Sequence, residues 1–181
     1  MAKVIILSGA GISAESGIST FRDGGGLWEK HKIEDVCYAG CLETNRKLTI
    51  DFYDSRREEL KDKEPNYAHK VIAKLKNKYK EQIAVITQNI DDMFEKAGCD
   101  KVLHLHGFLR ELKCEKCGNI LDIAYEKQDT KYETCPKCQN KLRPNIVFFG
   151  EMAPKYQDLY KEFDDCEFFV VIGTSGAVIN T

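Results

Sequence analysis

Four cysteines carry the strongest chemical signal in the sequence. Cys114, Cys117, Cys135 and Cys138 are spaced C-x2-C-x17-C-x2-C, a spacing read as a zinc site. Each C-x2-C knuckle offers two thiolates to one tetrahedral ion, and four thiolates leave no open coordination position. The expected zinc is therefore structural, not catalytic. A zinc ribbon can also bind nucleic acid. Here the stretch from 114 to 138 holds five acids (Glu115, Asp122, Glu126, Asp129, Glu133) against four lysines (Lys116, Lys127, Lys131, Lys137), which argues against that use. Cys37, Cys41, Cys99 and Cys166 have no such spacing and are expected to fill space.

A second group of residues suits a nucleotide. In SGAGISAESG, Gly9, Gly11 and Ala14 fit G-x-G-x-x-G/A after an apolar run. The first glycine permits a tight turn, the second lets a pyrophosphate reach the backbone, and the third small residue lets a helix pack on its strand. A helix N-terminus there would favour a phosphate; a tight turn with no ligand is the alternative. The next loop, STFRDGGGLW (19–28), joins three glycines to an aromatic and resembles a lid. Phe21 could shield a reactive centre from water and Arg22 could pair with a phosphate. A plain surface loop is the other reading.

Polar groups gather where an apolar run ends. Gln88, Asn89 and Asp91 follow IAVIT, and ligands of open α/β sheets bind beyond the carboxyl ends of strands. The amides could hold a carboxamide or a ribose hydroxyl; alternatively Asn89 or Asp91 caps the next helix. In VLHLHGF the histidines alternate with leucines. His106, at the strand end, suits a general base. A buried, hydrogen-bonded histidine and a metal site using both His104 and His106 are the rivals.

FYDSRREEL (52–60) reads as a helix in which Tyr53 and Arg56 are neighbours. Counting about 100° per residue puts Arg56 inside the apolar arc of Leu48, Phe52, Tyr53 and Leu60. Asp51, Asp54 and Glu58 fall on the opposite, solvated side. An arginine aimed at an apolar stripe needs an anion, which Glu59 or a ligand could supply.

These groups need elements to hold them. Unbroken apolar runs at 3–7, 83–87, 101–105, 145–149 and 168–173 suit strands buried on both faces of a parallel sheet. Between them PNYAHKVIAKLKNKY opens with Pro65 near a helix start and sets Val71, Ile72, Leu75 and Tyr79 on one stripe. DDMFEKAG has acids in its first turn and Gly98 as a stop. Alternating strand and helix predicts an α/β, Rossmann-like doubly wound fold. It would comprise 1–32, 80–112 and 142–181. The segment 33–79 would be a helical insertion and 113–141 a zinc-binding module. A net charge of −2 gives no broad attraction to nucleic acid or anionic membrane. No apolar run approaches the roughly 20 residues of a membrane span. MAKVIILSGAG lacks a signal peptide's features, so the expected compartment is the cytoplasm, where thiols stay reduced.

Together these stretches resemble the sirtuins, NAD-dependent protein deacylases. The carriers are GAGISAESGISTFR (9–22), TQNID (87–91), HLHG (104–107), the four cysteines, VFFGE (147–151) and GTS (173–175). The resemblance implies NAD against Gly9, Ala10, Gly11 and Ile12, with Phe21 and Arg22 over the reacting ribose. Gln88, Asn89 and Asp91 would order the nicotinamide ribose. Ser13, Glu15, Trp28, Ile90, Gly173, Thr174 and Ser175 would complete the cofactor site. It makes His106 the general base on a ribose hydroxyl, assisted by Asn89. Val147, Phe148, Phe149, Gly150 and Glu151 would bind the substrate backbone as an added strand. The match is nearest to a bacterial class that includes desuccinylases, with GLW after the glycine loop and FYxxRR in the helix. Tyr53 and Arg56 would then read an acidic acyl group on lysine. The implied protein is a monomer acting on acyl-lysine proteins or peptides, with NAD and one structural zinc. In the family further strand–helix units follow GTS, and Glu34 and Asp35 follow no strand that would let them hold a ribose. The chain is therefore expected to be a fragment with one open sheet edge. An NAD-consuming glycohydrolase or ADP-ribosyltransferase, or an inactive NAD-binding module, are the competing readings.

Overall fold

The structure, a computed structural model, describes residues 3–19 and 32–174. In chain order these hold strand β1 (Val4–Ser8), a 3-10 helix (Ala10–Ser16), and helices α1 (Ile33–Val36), α2 (Cys41–Thr44), α3 (Arg46–Lys61) and α4 (Tyr67–Tyr79). Strand β2 (Ile83–Thr87), helix α5 (Met93–Lys96) and strands β3 (Val102–His104), β4 (Gly107–Cys114), β5 (Ile120–Asp122) and β6 (Leu142–Ile146) follow. Helix α6 (Tyr156–Glu162) and strand β7 (Phe168–Ile172) close the order. Contacts divide the chain into two units. The first is Met1–Asp23, Lys63–His106 and Ala153–Thr181; the second is Gly24–Asp62 and Gly107–Met152. The helical segment and the zinc-binding module, read separately from the sequence, thus fall largely in one unit. Among the described residues no helix is long and apolar enough to cross a membrane.

The first unit is built on a parallel sheet of order β3-β2-β1-β7. β1 and β2 are apolar on both faces because helices cover both, while β7 is largely exposed. Ile5, Leu7 and Ile86 point to one side, with Leu105 and Leu159 of α6. Ile6 and Val85 point to the other, with Ile12 of the 3-10 helix, Ile72 and Ala73 of α4 and Phe94 of α5. Burying each such side chain contributes roughly 1.5–3 kcal/mol. Helix α4 starts at Tyr67, where the Asn66 side chain accepts from the backbone N–H groups of Ala68 and His69 at 3.0 and 3.4 Å. Its buried face is His69, Ile72, Ala73 and Lys76, not the stripe through Val71, Leu75 and Tyr79; Leu75 and Tyr79 are exposed. Two polar side chains take core positions: His69, whose Nε2 meets Ser13 while Nδ1 has no partner among the described residues, and Lys76, whose amine is met by carbonyls. Lys76 Nζ donates to the carbonyls of Lys80 and Ile83 at 3.0 and 2.8 Å.

The second unit is built on an antiparallel sheet of order β5-β4-β6. The run at 145–149, read as a strand of the parallel sheet, instead ends β6 here. Its alternating burial fits a sheet with one covered face. Leu112, Cys114, Ile123, Cys135 and Leu142 form the core beneath the cysteine knuckles. Helix α3 buries Asp54 and Arg57 together with Phe52, Tyr53 and Leu60. Arg57 pairs with Asp54 and donates from Nε to the Leu109 carbonyl at 2.9 Å. Asp54 also accepts the Gln128 N–H. Asp54 is therefore not on a solvated face: an ion pair with further backbone partners can occupy a buried position that an apolar count assigns to solvent, even with Arg57 Nη2 left without a partner among the described residues.

Candidate active site and metal centre

The glycine turn is a 3-10 helix, shorter and tighter than the α-helix the phosphate argument needs. Its glycines are required by packing. A Cβ on Gly11 would stand 2.9 Å from Gly173 Cα, and one on Gly9 would stand 2.7 Å from Thr174 Cβ. Gly173 has φ +66°, and a Cβ there would meet Ile12 N at 2.3 Å. Gly11 N–H donates to the Gly173 carbonyl at 2.8 Å. The turns after β1 and β7 therefore interlock through glycine, which brings Gly9, Ala10, Gly11, Ile12, Gly173 and Thr174 together. Ile12 and Ser13 are buried beneath this turn, while Glu15 is exposed. Phe21, Arg22, Trp28 and Ser175 lie outside the described residues.

The residues after β2 reach into that turn. Asn89 Nδ2 donates to the Gly9 carbonyl and to Ser13 Oγ, each at 3.2 Å. The hydroxyl of Ser13 donates to Asp91 Oδ2 at 2.9 Å. Asp91 Oδ1 accepts the Met93 N–H at 3.2 Å. Asp91 is thus both the turn-capping group at α5 and the anchor of Ser13. Burial pushes its carboxyl above the ordinary carboxylate value. His69 completes the cluster from α4, with Nε2 3.5 Å from Ser13 Oγ and its ring edge-on to Phe94. Burial lowers its pKa to about 4, so the ring is neutral. Sequence reading passed over His69; the only signal was a histidine falling among apolar residues of α4.

The two histidines at and just after the end of β3 do different work. His104 Nδ1 lies 2.9 Å from the Asn89 carbonyl and Nε2 lies 2.9 Å from Glu95 Oε1, so it ties β3 to the Asn89 segment. His106 Nδ1 lies 2.9 Å from the Gln88 carbonyl and Nε2 lies 3.0 Å from the Tyr156 hydroxyl. A carbonyl only accepts, so Nδ1 carries the proton and Nε2 of the neutral ring carries the lone pair. Burial lowers the His106 pKa, which keeps that lone pair free of protons near neutrality. The paired-histidine metal site does not form: among the described residues the one metal-competent cluster is the four cysteines. Gln88 Nε2 is buried and has no hydrogen-bond partner among the described residues. An unmet donor there fits the hydroxyl or carboxamide oxygen of a dinucleotide.

In the second unit the cysteine sulfurs lie within 4.8 Å of one another. Cys114–Cys138, Cys117–Cys135 and Cys117–Cys138 are 3.4, 3.7 and 3.5 Å apart. Four sulfurs on a tetrahedron around zinc stand about 3.8 Å apart, so this set fits the ion and leaves no position for substrate. In the same unit the Tyr53 hydroxyl donates to Cys37 Sγ at 3.3 Å, and its ring lies 5.7 Å from that of Phe148. Arg56 pairs with Glu59 at 2.8 Å, the internal anion anticipated for it. The Phe149 backbone pairs with Cys37 and Ala39, each at 2.8 Å. Val147 is half-buried, Phe148 is buried, and Gly150 turns the chain at φ +85°. Glu151 is held by Arg143 at 2.7 Å and accepts the Phe148 N–H at 3.0 Å; it fixes the VFFGE turn from inside.

A parallel sheet whose strand-end turns interlock, with a base-ready histidine and an unmet amide donor after them, defines a nucleotide-using α/β enzyme fold. The particular family follows from comparison. The Sir2 family model matches residues 9–180. A Campylobacter jejuni NAD-dependent protein deacylase is 52% identical over 180 residues, which cover 99% of this chain and 76% of the relative. A Helicobacter hepaticus NAD-dependent protein deacylase is 44% identical over 202 residues, covering 99% and 77%. A solved Sir2 homologue–NAD complex superposes with TM-score 0.86 at 36% identity, covering 97% of this chain and 69% of that one. Sir2Tm bound to a propionylated peptide gives TM-score 0.78 at 30% identity, covering 97% and 72%. The chain belongs to the Sir2 family.

Proposed function

We propose that this chain is an NAD-dependent protein-lysine deacylase that transfers the acyl group to ADP-ribose and releases nicotinamide. The observation that carries the reading is His106. Its tautomer is set by the Gln88 carbonyl, and the same residue's amide nitrogen stands unmet in the site. When bound, NAD supplies the anomeric carbon that the acyl-lysine oxygen attacks as nicotinamide leaves. His106 Nε2 takes the proton of a ribose hydroxyl, and Gln88 Nε2 donates to a ribose or carboxamide oxygen. Asn89, with both amide hydrogens spent on Gly9 and Ser13, presents its oxygen as an acceptor. Asp91 and Ser13 hold Asn89 in that pose. On the strength of the sirtuin resemblance, Glu15 and Ile90 belong to the cofactor site. Zinc at the four cysteines holds the second unit's sheet together.

The acyl preference extends to acidic groups. Tyr53 and Arg56 receive a succinyl carboxylate, Arg56 exchanging Glu59 for it bidentately and Tyr53 giving its hydroxyl. An acyl-lysine segment lies along 147–149 as an added strand. The protein works as a monomer in the cytoplasm, on proteins and not on nucleic acid or membrane. The test is turnover of acetyl- and succinyl-lysine peptides with NAD, following free lysine peptide and acyl-ADP-ribose by mass spectrometry. Arg56→Met is expected to lose several-fold to about a hundredfold of succinyl activity while sparing acetyl activity. Equal loss of both makes the Arg56–Glu59 pair purely structural. Nicotinamide release with no deacylated peptide points instead to a glycohydrolase.

A further inference from the structure

The lone pair of the general base is already occupied. Nδ1–H of His106 is committed to the Gln88 carbonyl, so Nε2 must accept, and the group 3.0 Å away is the Tyr156 hydroxyl. One lone pair takes one donor. A ribose hydroxyl that is to give its proton to Nε2 must therefore stand where the phenol stands. The Tyr156 ring packs against the core of Ile5, Leu7, Ile86, Leu105 and Leu159 at the start of α6, and tilts 33° to the imidazole at 6.1 Å. Besides Tyr156, the group on the imidazole is the uncharged Gln88 carbonyl. Burial and then Tyr160 raise the pKa of the Tyr156 hydroxyl, while His104 is turned to Glu95 and Asn89.

We propose that Tyr156 masks the general base: its hydroxyl occupies His106 Nε2 until a substrate hydroxyl takes the same place. This rests on the reading of His106 as the base. No proton changes owner in the exchange, since one hydroxyl donor replaces another. Diethyl pyrocarbonate acylates the unprotonated ring nitrogen of histidine, so its rate at His106, read by mass spectrometry of the labelled peptide, reports the mask. Tyr156→Phe keeps the ring in its packing and removes the donor. Labelling of His106 is expected to rise about two- to tenfold, the worth of one ordinary hydrogen bond. His104 labelling is expected to stay unchanged, as is His106 labelling in Tyr160→Phe. Tyr156→Leu should raise labelling likewise. For NAD, kcat/KM should rise through a lower KM at unchanged kcat. Equal labelling in the wild type and in both Tyr156 variants, with unchanged melting, overturns the proposal, as does a fall in kcat in Tyr156→Phe. The labelling arm needs no turnover. Faster labelling without deacylation would leave Tyr156 in place and remove the deacylase reading; deacylation with unchanged labelling would do the reverse.

Discussion

Two histidines of the first unit are held neutral by burial, with different consequences. At His106 the consequence is kinetic. Its pKa is lowered from the ordinary 6.5 by burial, so the acid limb of kcat/KM for deacylation is expected below that value. His106→Ala should lose at least about a hundredfold in kcat with little change in melting temperature. A limb at or above 6.5 would contradict the geometry. At His69 the consequence is stability. The unfolded chain binds a proton at the ordinary 6.5, the folded chain near 4. Acid therefore favours unfolding: stability is full above 6.5 and drains as the pH falls toward 4. Between pH 7.5 and 5.5 the loss amounts to about 1.4 kcal/mol. Urea titrations at the two pH values should show this difference in the wild type and a smaller one in His69→Phe; identical pH dependence in both would exclude His69 as its source.

At the scale of elements, the zinc knuckles and the interlocked turns show two ways of fixing short, irregular segments. β5 has three residues and β4 eight, and the core under them is a few side chains. Such a module gains its stability from the ion. Purified protein is expected to hold about one zinc per chain. Chelation, or Cys135→Ser, should expose the amides of 107–146 to hydrogen exchange; full protection after metal loss would mean the cysteines are only packing. The cysteine set was legible from spacing alone, because zinc demands two close thiolates per knuckle. Helix α3 was not, because an angular count knows only hydrophobicity. Asp54 and Arg57 are buried as a pair, which depends on the Leu109 and Gln128 backbone groups more than fifty residues away.

At a larger scale, the β7 edge of the parallel sheet, as far as the described residues show it, bears on behaviour in solution. Among the described residues β7 pairs only with β1. Its run FFVVI leaves Phe168, Val170 and Val171 at 64%, 41% and 46% exposed. An uncharged, apolar edge strand is a template for pairing with another chain. A polypeptide of these 181 residues alone is expected to be monomeric when dilute and to self-associate as concentration rises. Val170→Lys should suppress that association without lowering the melting temperature. Sedimentation velocity across a range of concentrations would show it, and a concentration-independent monomer in both proteins would refute it.

By itself the sequence determined the fold class, the cysteine set and the strand-end place of His106. Each depends on a local rule: unbroken apolar runs for strands with two covered faces, paired cysteines for a tetrahedral ion, a polar residue just past a strand end. Tertiary structure alone decided what the glycines are for, and which polar groups are buried. Gly9 and Gly11 fit a phosphate fingerprint, yet their missing Cβ atoms make room for Gly173, more than 150 residues on. His69 and Lys76 fell outside the apolar stripe of α4 although both are core residues. Tyr156 carried no signal at all. Its contact with His106 spans fifty residues, and a hydroxyl's partner depends on where distant segments pack, which no local spacing encodes.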